Sequence, residues 1–310
     1  MTPDSGESPK VIVVCGPTGV GKTGTAIKLA RYFSGEIISA DSIQVYKYMD
    51  IGAAKPTLQE RAAITHHLID IVAPDEPFDA ARFARKARVI INTIRQRGRT
   101  PFAVGGTGLY IKALLYGLAD VLPANHAIRR RLQAEAAQNG ALWLHQRLEV
   151  CDPKTAKRLH PNDTYRIVRA LEVYETSGQP FSKSQAAHDF KTCPFSVLKI
   201  GLELSRPILY KRINQRVEAM IQAGFTDEVR QLLDKGYTSD LKPMQSIGYR
   251  HLADFLQKRC SWDETVRLWQ RDTRRYAKRQ MTWFKADPDI WWINPEEWES
   301  ALPRITAFLK

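Results

Sequence analysis

The spacing of hydrophobic residues divides the first third of the chain into short apolar runs and longer amphipathic segments. Three apolar runs predict strands: Val11–Cys15, Glu36–Ala40 and Pro101–Val104. Three segments with a period near 3.6 residues predict helices: Lys22–Tyr32, Ala80–Arg97 and Leu109–Tyr116. Strands that alternate with helices in this way predict a parallel sheet.

The strand pattern stops between about Asp120 and Phe195. Four helices are predicted there: Ile128–Gln138, Ala141–Glu149, Pro153–Leu159 and Thr164–Thr176. A further strand, Val197–Leu204, and two long helices, Ile208–Lys235 and Trp262–Lys285, follow. We therefore expect an α/β fold in which residues 1–119 and 196–310 form the core and residues 120–195 form an inserted all-helical domain.

The first strand runs directly into a phosphate-binding motif. Residues 16–23, Gly-Pro-Thr-Gly-Val-Gly-Lys-Thr, match G-x-x-x-x-G-K-[ST] between a strand and a helix, which predicts a core similar to the P-loop NTPases. Loop amides and the helix N-terminus favour a bound anion, the Lys side chain reaches outer phosphate oxygens, and the Thr hydroxyl is placed to hold Mg²⁺. The expected diphosphate-binding residues are Gly16, Thr18, Gly19, Gly21, Lys22 and Thr23, with Thr23 as the metal ligand.

Acidic residues around this motif do not follow the pattern of an NTPase. A Walker-B strand ends in an Asp that holds Mg²⁺, but the strand Pro101–Val104 runs into Gly-Gly-Thr-Gly. The nearest acidic candidate is Asp41, which follows the second strand and either caps the segment Ser42–Tyr46 or takes a proton from an acceptor. Because ligands bind at the carboxyl ends of parallel strands, the P-loop, Asp41 and Thr107 are expected to share one cleft, and transfer chemistry is favoured over hydrolysis.

Composition and charge restrict the class of protein and its partners. The 310 residues are 44% hydrophobic and 25% charged, and no apolar run approaches the length of a membrane span. The polar, acidic start, Met1–Pro9, does not resemble a secretory signal, so we expect a cytoplasmic protein without a membrane partner. The net charge of +13 favours a polyanionic partner, with nucleic acid before a membrane surface.

Cysteine and histidine positions do not predict a metal centre. The four cysteines lack any C-x-x-C spacing, and Cys15 is expected to be a core residue of the first strand. His66 and His67 are adjacent, which is not the spacing of a helical metal pair, so a structural role is favoured.

The last long helix has two different faces. Its apolar side contains Trp262, Val266, Trp269, Thr273, Tyr276 and Gln280, and its opposite side contains Arg267, Arg271, Arg274, Arg275 and Lys278, with Glu264 interpreted as the only acid. A cationic face next to Gln280, Trp283 and Phe284 favours a nucleic-acid backbone with bases nearby, although the aromatic residues could equally belong to the core. Arg212 and Arg216, four residues apart on an earlier helix, could hold a diphosphate or form a solvated basic face.

Together with the P-loop, seven further motifs resemble those of the bacterial-type tRNA dimethylallyltransferases. In chain order the motifs are Gly16–Thr23, Asp41–Tyr46, Asp50–Gly52 with Ala54–Pro56, His66–Asp70, Gly105–Tyr110, Arg169–Glu172, Ile247–Arg250 and Ala277–Phe284. The bacterial type is favoured because the C-terminal sequence has no zinc-finger pattern. Two residues depart from the family pattern: Ala53 stands where Thr is frequent, and Tyr165 stands where Gln is frequent.

The resemblance implies that a dimethylallyl group is transferred from its diphosphate to N6 of adenosine 37, just 3′ of the anticodon, after this base has left the anticodon-loop stack. It implies Asp41 as the general base, Thr107 near the reacting centre, Arg216 on the diphosphate, and Mg²⁺ as the cofactor. The implied partners are dimethylallyl diphosphate and the anticodon stem-loop of tRNA, and we expect a monomer. The candidate tRNA-binding residues are Ser42, Gln44, Arg129, Arg166, Arg169, Gly248, Tyr249, Arg250, Arg274, Lys278, Arg279, Gln280 and Trp283.

Three other functions fit part of the sequence. An adenylate isopentenyltransferase would share the loop chemistry but would not need the basic C-terminal helix. A P-loop NTPase or small-molecule kinase would need the missing Walker-B Asp. A non-catalytic RNA-binding module would leave Lys22, Thr23 and Asp41 unexplained.

Overall fold

A computed structural model of the chain describes residues 8–118, 125–187 and 192–310. The predicted boundary at residues 119–120 and the N-terminal residues 1–7 lie outside the described residues. The described chain forms two compact units, one of Met1–Leu115 with Pro194–Lys310 and one of Tyr116–Cys193. None of the helices in these described parts has both the length and the apolar composition of a membrane span.

A parallel sheet organises the first unit. Its strands are β1 (Lys10–Cys15), β2 (Gly35–Ser39), β3 (His66–His67), β4 (Thr100–Gly105), β5 (Ser196–Leu202) and β6 (Trp291–Ile293). Their order across the sheet is β3-β2-β4-β1-β5-β6, and every neighbouring pair is parallel. Because all strands point the same way, the loops that follow β1, β2 and β4 leave the sheet at one edge.

Helices in the first unit precede and follow the inserted residues. Before the insertion they are α1 (Lys22–Tyr32), α2 (Leu58–Ala63), α3 (Ala80–Gln96) and α4 (Gly108–Tyr116), the last of which ends at the unit boundary. After it they are α10 (Arg206–Gln222), α11 (Phe225–Asp234), α12 (Tyr249–Leu256), α13 (Trp262–Lys285), a 3₁₀ helix (Pro295–Ala301) and α14 (Leu302–Leu309). The α/β fold class is thus confirmed.

One predicted element of the first unit is wrong. The continuous helix Ile208–Lys235 is two helices, α10 and α11, because Gly224 between them has a left-handed φ of 90°. The sequence analysis also did not predict α2, β3, α12, β6 and α14, none of which is longer than eight residues. The break at Gly224 matters for the site, because it starts α11 beside the loop at residues 50–54.

Apolar side chains of the central strands form the main core. Val11, Ile12, Val13 and Val14 of β1 are all buried, as expected for a strand covered on both faces of a parallel sheet. Cys15 is buried at the end of this strand, and burial raises the pKa of its thiol to about 12. The prediction that Cys15 is a core residue is confirmed.

The second unit contains only helices among its described residues. They are α5 (His126–Asn139), α6 (Ala141–Cys151), α7 (Pro153–Arg158), α8 (Thr164–Ser177) and α9 (Phe181–Ala187), of which α9 was not predicted. A separate apolar cluster of Leu132, Leu144, Leu148, Ile167 and Leu171 holds these helices together. The unit therefore has its own core, as an inserted domain requires.

Candidate active site

Three loops at the carboxyl ends of the strands meet at one pocket. The P-loop follows β1, Asp41 follows β2, and Thr107 follows β4. Thr107 joins two of these loops, since its Oγ1 accepts a hydrogen bond from the Ser42 N–H at 3.2 Å. The pocket has a volume of about 450 Å³, and its lining includes P-loop residues, Asp41 and Arg216.

Lys22 and Arg216 bring two positive charges to this pocket. The Lys22 ammonium donates to the Pro17 carbonyl at 2.8 Å, and within the described residues neither cation has a carboxylate at ion-pair distance. Burial, together with the nearby Arg216 charge, lowers the pKa of Lys22 to about 8. Burial also lowers the pKa of Arg216, while Asp41 acts in the opposite direction. Two desolvated cations without anionic partners form a site that is suited to a polyanion such as a diphosphate.

The backbone of the P-loop is also arranged for an anion. Gly19 and Gly21 have left-handed φ values of 81° and 106°, and α1 begins without a side-chain cap on its first N–H groups. These N–H groups point towards the helix N-terminus, where negative charge is stabilised. Two loop N–H groups are already used within the protein: that of Thr18 donates to Gln280 Oε1 at 2.8 Å, and that of Val20 donates to the Pro17 carbonyl at 3.4 Å.

Asp41 has the first of the two roles that the sequence left open, and its role as a base stays a prediction. Its Oδ1 accepts from the N–H groups of Ile43 at 2.8 Å and Gln44 at 3.3 Å, so it caps the following turn. Among the described residues Oδ2 has no hydrogen-bond partner, and Asp41 lines the pocket. The capping bonds fix the carboxylate in one orientation and leave one oxygen for a ligand.

Helix α13 closes one side of the pocket through residues that face inward. Gln280 is buried, and besides its bond to Thr18 its Nε2 donates to the Gly106 carbonyl at 2.8 Å. Tyr276 lies one turn earlier, where burial and then the Asp41 charge raise the pKa of its hydroxyl to about 12. A hydrogen bond with Thr107 acts in the opposite direction on this pKa. Tyr276 was not predicted as a site residue; its position four residues before Gln280 on the same face is the signal that could have identified it.

The pocket that contains the two cations also has an apolar wall. It is formed by Ile213, Val217, Met220, Ile247 and Trp269. Such a wall beside a diphosphate-sized cationic site favours a ligand that joins an apolar group to a phosphate.

Gln44, one of the predicted tRNA-binding residues, already makes several side-chain hydrogen bonds within the protein. Gln44 Nε2 donates to the carbonyls of Ala53 at 3.3 Å and Ala54 at 3.1 Å, and its Oε1 accepts from the Ser39 hydroxyl at 2.8 Å. Oε1 retains one further acceptor position, so contact of Gln44 with a base stays a prediction. Both Ser42 and Gln44 line the pocket.

The two adjacent histidines belong to β3. His67 Nε2 lies 2.6 Å from the buried Glu36 carboxylate, and His66 Nδ1 lies 2.7 Å from the Ile64 carbonyl. The described residues contain no group of three or more His, Cys, Asp or Glu side chains that could hold a metal. The structural role of this pair stays a prediction.

The cationic face of α13 differs in detail from the prediction. Lys278, Arg279 and the 45%-exposed Trp283 are at the surface, while Arg274 is half-buried and donates to Asn214 Oδ1 at 2.7 Å. Glu264 is not the only acid there: Asp272 accepts from Arg271 at 2.9 Å and lies 3.8 Å from Arg275. The unpaired part of the cationic face is therefore nearer the C-terminal end of the helix, around Lys278.

The start of α12 contains one residue whose side chain is buried and one that forms an ion pair nearer the surface. Gly248 precedes this helix, and the Tyr249 side chain is fully buried with its hydroxyl donating to Glu228 at 2.6 Å. Arg250 donates to Asp272 Oδ2 at 2.7 Å. The predicted tRNA contact of Tyr249 thus concerns a residue whose side chain is packed inside the protein.

Two of the predicted tRNA-binding arginines in the second unit form ion pairs with a buried glutamate. Glu172 is 0% exposed and pairs with Arg129 at 2.6 Å and Arg169 at 2.8 Å. Burial alone would raise the pKa of Glu172, but hydrogen bonds from Arg169 and Arg129 bring it below its ordinary value. Arg166, with a 3.3 Å pair to Asp163, and the 74%-exposed Tyr165 are more accessible. Contact of these residues with tRNA stays a prediction.

The fold and the pocket define an α/β protein whose P-loop lies at a pocket lined by two cations and by apolar side chains. A profile of the IPP transferase family matches residues 44–287, and one of the isopentenyl transferase family matches residues 9–71. The tRNA dimethylallyltransferase of Desulfosudis oleivorans is 54% identical over 100% of this chain and 99% of its own length.

Solved structures give the same result. The tRNA isopentenylpyrophosphate transferase from Bacillus halodurans is 38% identical, with a TM-score of 0.73 over 97% of each chain. A eukaryotic dimethylallyltransferase acting on tRNA is 29% identical, with a TM-score of 0.78 over 96% of this chain and 78% of its own. The chain therefore belongs to the tRNA dimethylallyltransferases of the IPP transferase family, which are enzymes.

The lowered pKa of Lys22 predicts how diphosphate affinity depends on pH. A bound diphosphate favours the charged form of the Lys22 side chain. Above a pH of about 8 most of this side chain is neutral, so it must take up a proton when diphosphate binds. The Kd for inorganic diphosphate should therefore rise about tenfold per pH unit above this value, as measured by titration calorimetry. Lys22→Arg should abolish the rise, because a guanidinium stays charged throughout; a wild-type Kd that is constant between pH 7 and 10 would contradict the assignment.

Proposed function

We propose that the chain transfers the dimethylallyl group of dimethylallyl diphosphate to N6 of adenosine 37 in the anticodon stem-loop of tRNA. One observation carries this proposal: Lys22 and Arg216 face a common pocket without carboxylate partners among the described residues, next to Asp41 with one uncommitted oxygen. A cationic site for a leaving diphosphate and a base for the acceptor are the two parts that such a transfer needs.

On the donor side, the protein stabilises the leaving group. When the bond between C1 and oxygen breaks, its electron pair goes to the diphosphate, and negative charge increases on the oxygens nearest Lys22 and Arg216. Cations in a desolvated pocket interact with this charge more strongly than in water, so they lower the barrier. The apolar wall with Val217 and Trp269 accommodates the hydrocarbon part of the donor.

On the acceptor side, Asp41 takes the proton. The N6 lone pair forms the new bond to C1, and the N6 proton moves to the uncommitted Oδ2 of Asp41. Because Oδ1 is held by the Ile43 and Gln44 N–H groups, the carboxylate does not need to be ordered when the acceptor arrives. Thr107 and Tyr276 lie beside this carboxylate and complete the polar surroundings of N6.

The residues of the site fit Mg²⁺ as a cofactor. Mg²⁺ commonly takes few protein ligands and is completed by substrate phosphates and water, which agrees with the absence of a larger acidic cluster among the described residues. The Thr23 hydroxyl, in the pocket, would hold the ion together with the donor diphosphate. When bound, Mg²⁺ neutralises part of the diphosphate charge.

Replacing Asp41 tests the assignment of the base. Asp41→Asn keeps an oxygen that can cap Ile43 and Gln44 but cannot take a proton at neutral pH. We expect transfer of labelled prenyl group to unmodified tRNA to fall by a factor of about 10² to 10⁴, with tRNA and donor affinities within threefold of wild type. Single-turnover transfer and filter binding measure the two quantities.

Asp79→Asn is the matched control, since Asp79 caps α3 through the Arg82 N–H at 2.8 Å and does not line the pocket. It should transfer at the wild-type rate. Full turnover by Asp41→Asn would exclude Asp41 as the base.

Wild-type transfer to AMP and not to tRNA would instead support an adenylate isopentenyltransferase, and ATP hydrolysis without transfer would support an NTPase.

The exposed part of α13 predicts the salt dependence of tRNA binding. Lys278 has no ion-pair partner among the described residues, whereas Arg267 is held by both oxygens of Glu264 at 2.5 Å. Lys278→Ala should weaken binding and reduce the slope of log Kd against log salt concentration by roughly one unit. Arg267→Ala should leave the slope unchanged, and equal slopes for all three proteins would remove Lys278 from the RNA interface.

A further inference from the structure

Glu228 accepts an unusual set of hydrogen bonds in the first turn of α11. Its Oε2 accepts from the N–H groups of Asp50 at 2.9 Å and Ile51 at 2.7 Å. Its Oε1 accepts from the Gly52 N–H at 3.2 Å and from the Tyr249 hydroxyl at 2.6 Å. No cation within the described residues pairs with this carboxylate, so its four bonds go to one loop and to one buried tyrosine.

The same loop is held from its other side by Gln44. The Glu228 carboxylate accepts hydrogen bonds from the N–H groups of residues 50–52. The Gln44 side-chain amide donates to the carbonyls of Ala53 and Ala54. The Tyr249 hydroxyl adds α12 to the connection, because it donates to Glu228 Oε1 at 2.6 Å. Loop 50–54 thus lies in a continuous hydrogen-bond chain from Glu228 to Gln44.

Packing reinforces this position. A Cβ on Gly52 would lie 2.1 Å from Phe225 Cζ and 2.5 Å from Tyr249 Cε2, so the loop backbone rests directly on these rings. Phe225 in turn contacts Trp269 edge to face with ring centroids 5.3 Å apart. Burial, with Glu228 nearby, raises the pKa of Tyr249 well above its ordinary value, so its hydroxyl remains a donor.

We propose that Glu228 is a positioning residue for prenyl transfer, which fixes loop 50–54 and through it the Gln44 side chain at the acceptor side of the pocket. The inference rests on the proposed function and on the predicted contact of Ser42 and Gln44 with the tRNA. Gly52, Ala53 and Ala54 line the same pocket as these two residues. Glu228 itself is absent from the residues lining that pocket, so it acts through the loop.

Glu228→Gln is the most informative variant because it preserves shape and removes one acceptor. A Gln side chain has one acceptor oxygen and an NH₂ group that donates. In either orientation of the amide, at least one of the three loop N–H groups faces a donor and loses its bond. Asp227→Asn, one residue earlier, changes charge equally but alters only an exposed pair with Arg230, and is the matched control.

Hydrogen exchange tests the structural part of the inference without any activity. In Glu228→Gln the amides of residues 50–52 should exchange at least tenfold faster than in wild type, and exchange in the P-loop should be unchanged. Asp227→Asn should match wild type at both places. Unchanged protection of residues 50–52 in Glu228→Gln would overturn the inference.

Steady-state kinetics of prenyl transfer distinguish a positioning role of Glu228 from a simple loss of folded protein. We expect Glu228→Gln to raise the KM for tRNA about tenfold and to leave the KM for dimethylallyl diphosphate within twofold. A merely destabilised protein would lower the apparent kcat and change neither KM. An unaffected KM for tRNA, or a rise confined to the donor KM, would contradict the positioning role.

Tyr249→Phe provides a second variant if Glu228→Gln does not fold. It keeps the Glu228 carboxylate and its bonds to the loop N–H groups and removes only the hydroxyl that donates to Glu228 Oε1, so a smaller rise in the KM for tRNA, about threefold, is expected; no rise would count against the inference. If the wild-type protein transferred nothing to tRNA, the proposed function would fail. The exchange measurement would still decide whether Glu228 holds the loop.

Discussion

The site depends on two positive charges that are held close together, with no carboxylate at ion-pair distance in the part of the chain that the structure describes. Lys22 and Arg216 repel one another, and each loses hydration in the pocket, which lowers both pKa values. The protein stabilises this arrangement only in part, through the Pro17 carbonyl and the more distant Asp41 charge. A bound diphosphate would relieve the repulsion, so the free protein is prepared for an anionic donor at the expense of its own stability.

The rest of the architecture keeps these charges and Asp41 in one place. Parallel pairing brings the ends of β1, β2 and β4 to one edge, and α13 ties the P-loop to the end of β4 through the two bonds of Gln280. Glu228 and Gln44 fix the loop that forms the opposite wall. Helices α1 and α10 therefore carry the two cations, and Asp41 is held in its loop by the Ile43 and Gln44 N–H groups.

Local sequence patterns predicted β1, α1 and the strand end at Asp41, because each depends on neighbouring residues: an apolar run, a glycine-rich turn and a capping acid. Periodicity placed Gln280 on the apolar side of its helix, but its hydrogen bond with Thr18 could not be predicted in this way, since Thr18 lies 262 residues away. The role of Glu228 could not be predicted for the same reason. In the sequence it is one of two acids in the first turn of a helix, and its loop partners lie 176 to 178 residues earlier. Tertiary contacts, and not local propensity, decide these roles.

The central claim is that the P-loop holds the diphosphate of an allylic donor and not that of a nucleoside triphosphate. Titration calorimetry of the wild-type protein with dimethylallyl diphosphate and with ATP, each in the presence of Mg²⁺, tests it most directly. The account predicts that dimethylallyl diphosphate binds at least tenfold more tightly, because the wall formed by Val217, Met220 and Trp269 suits a hydrocarbon group. Tighter binding of ATP would contradict it.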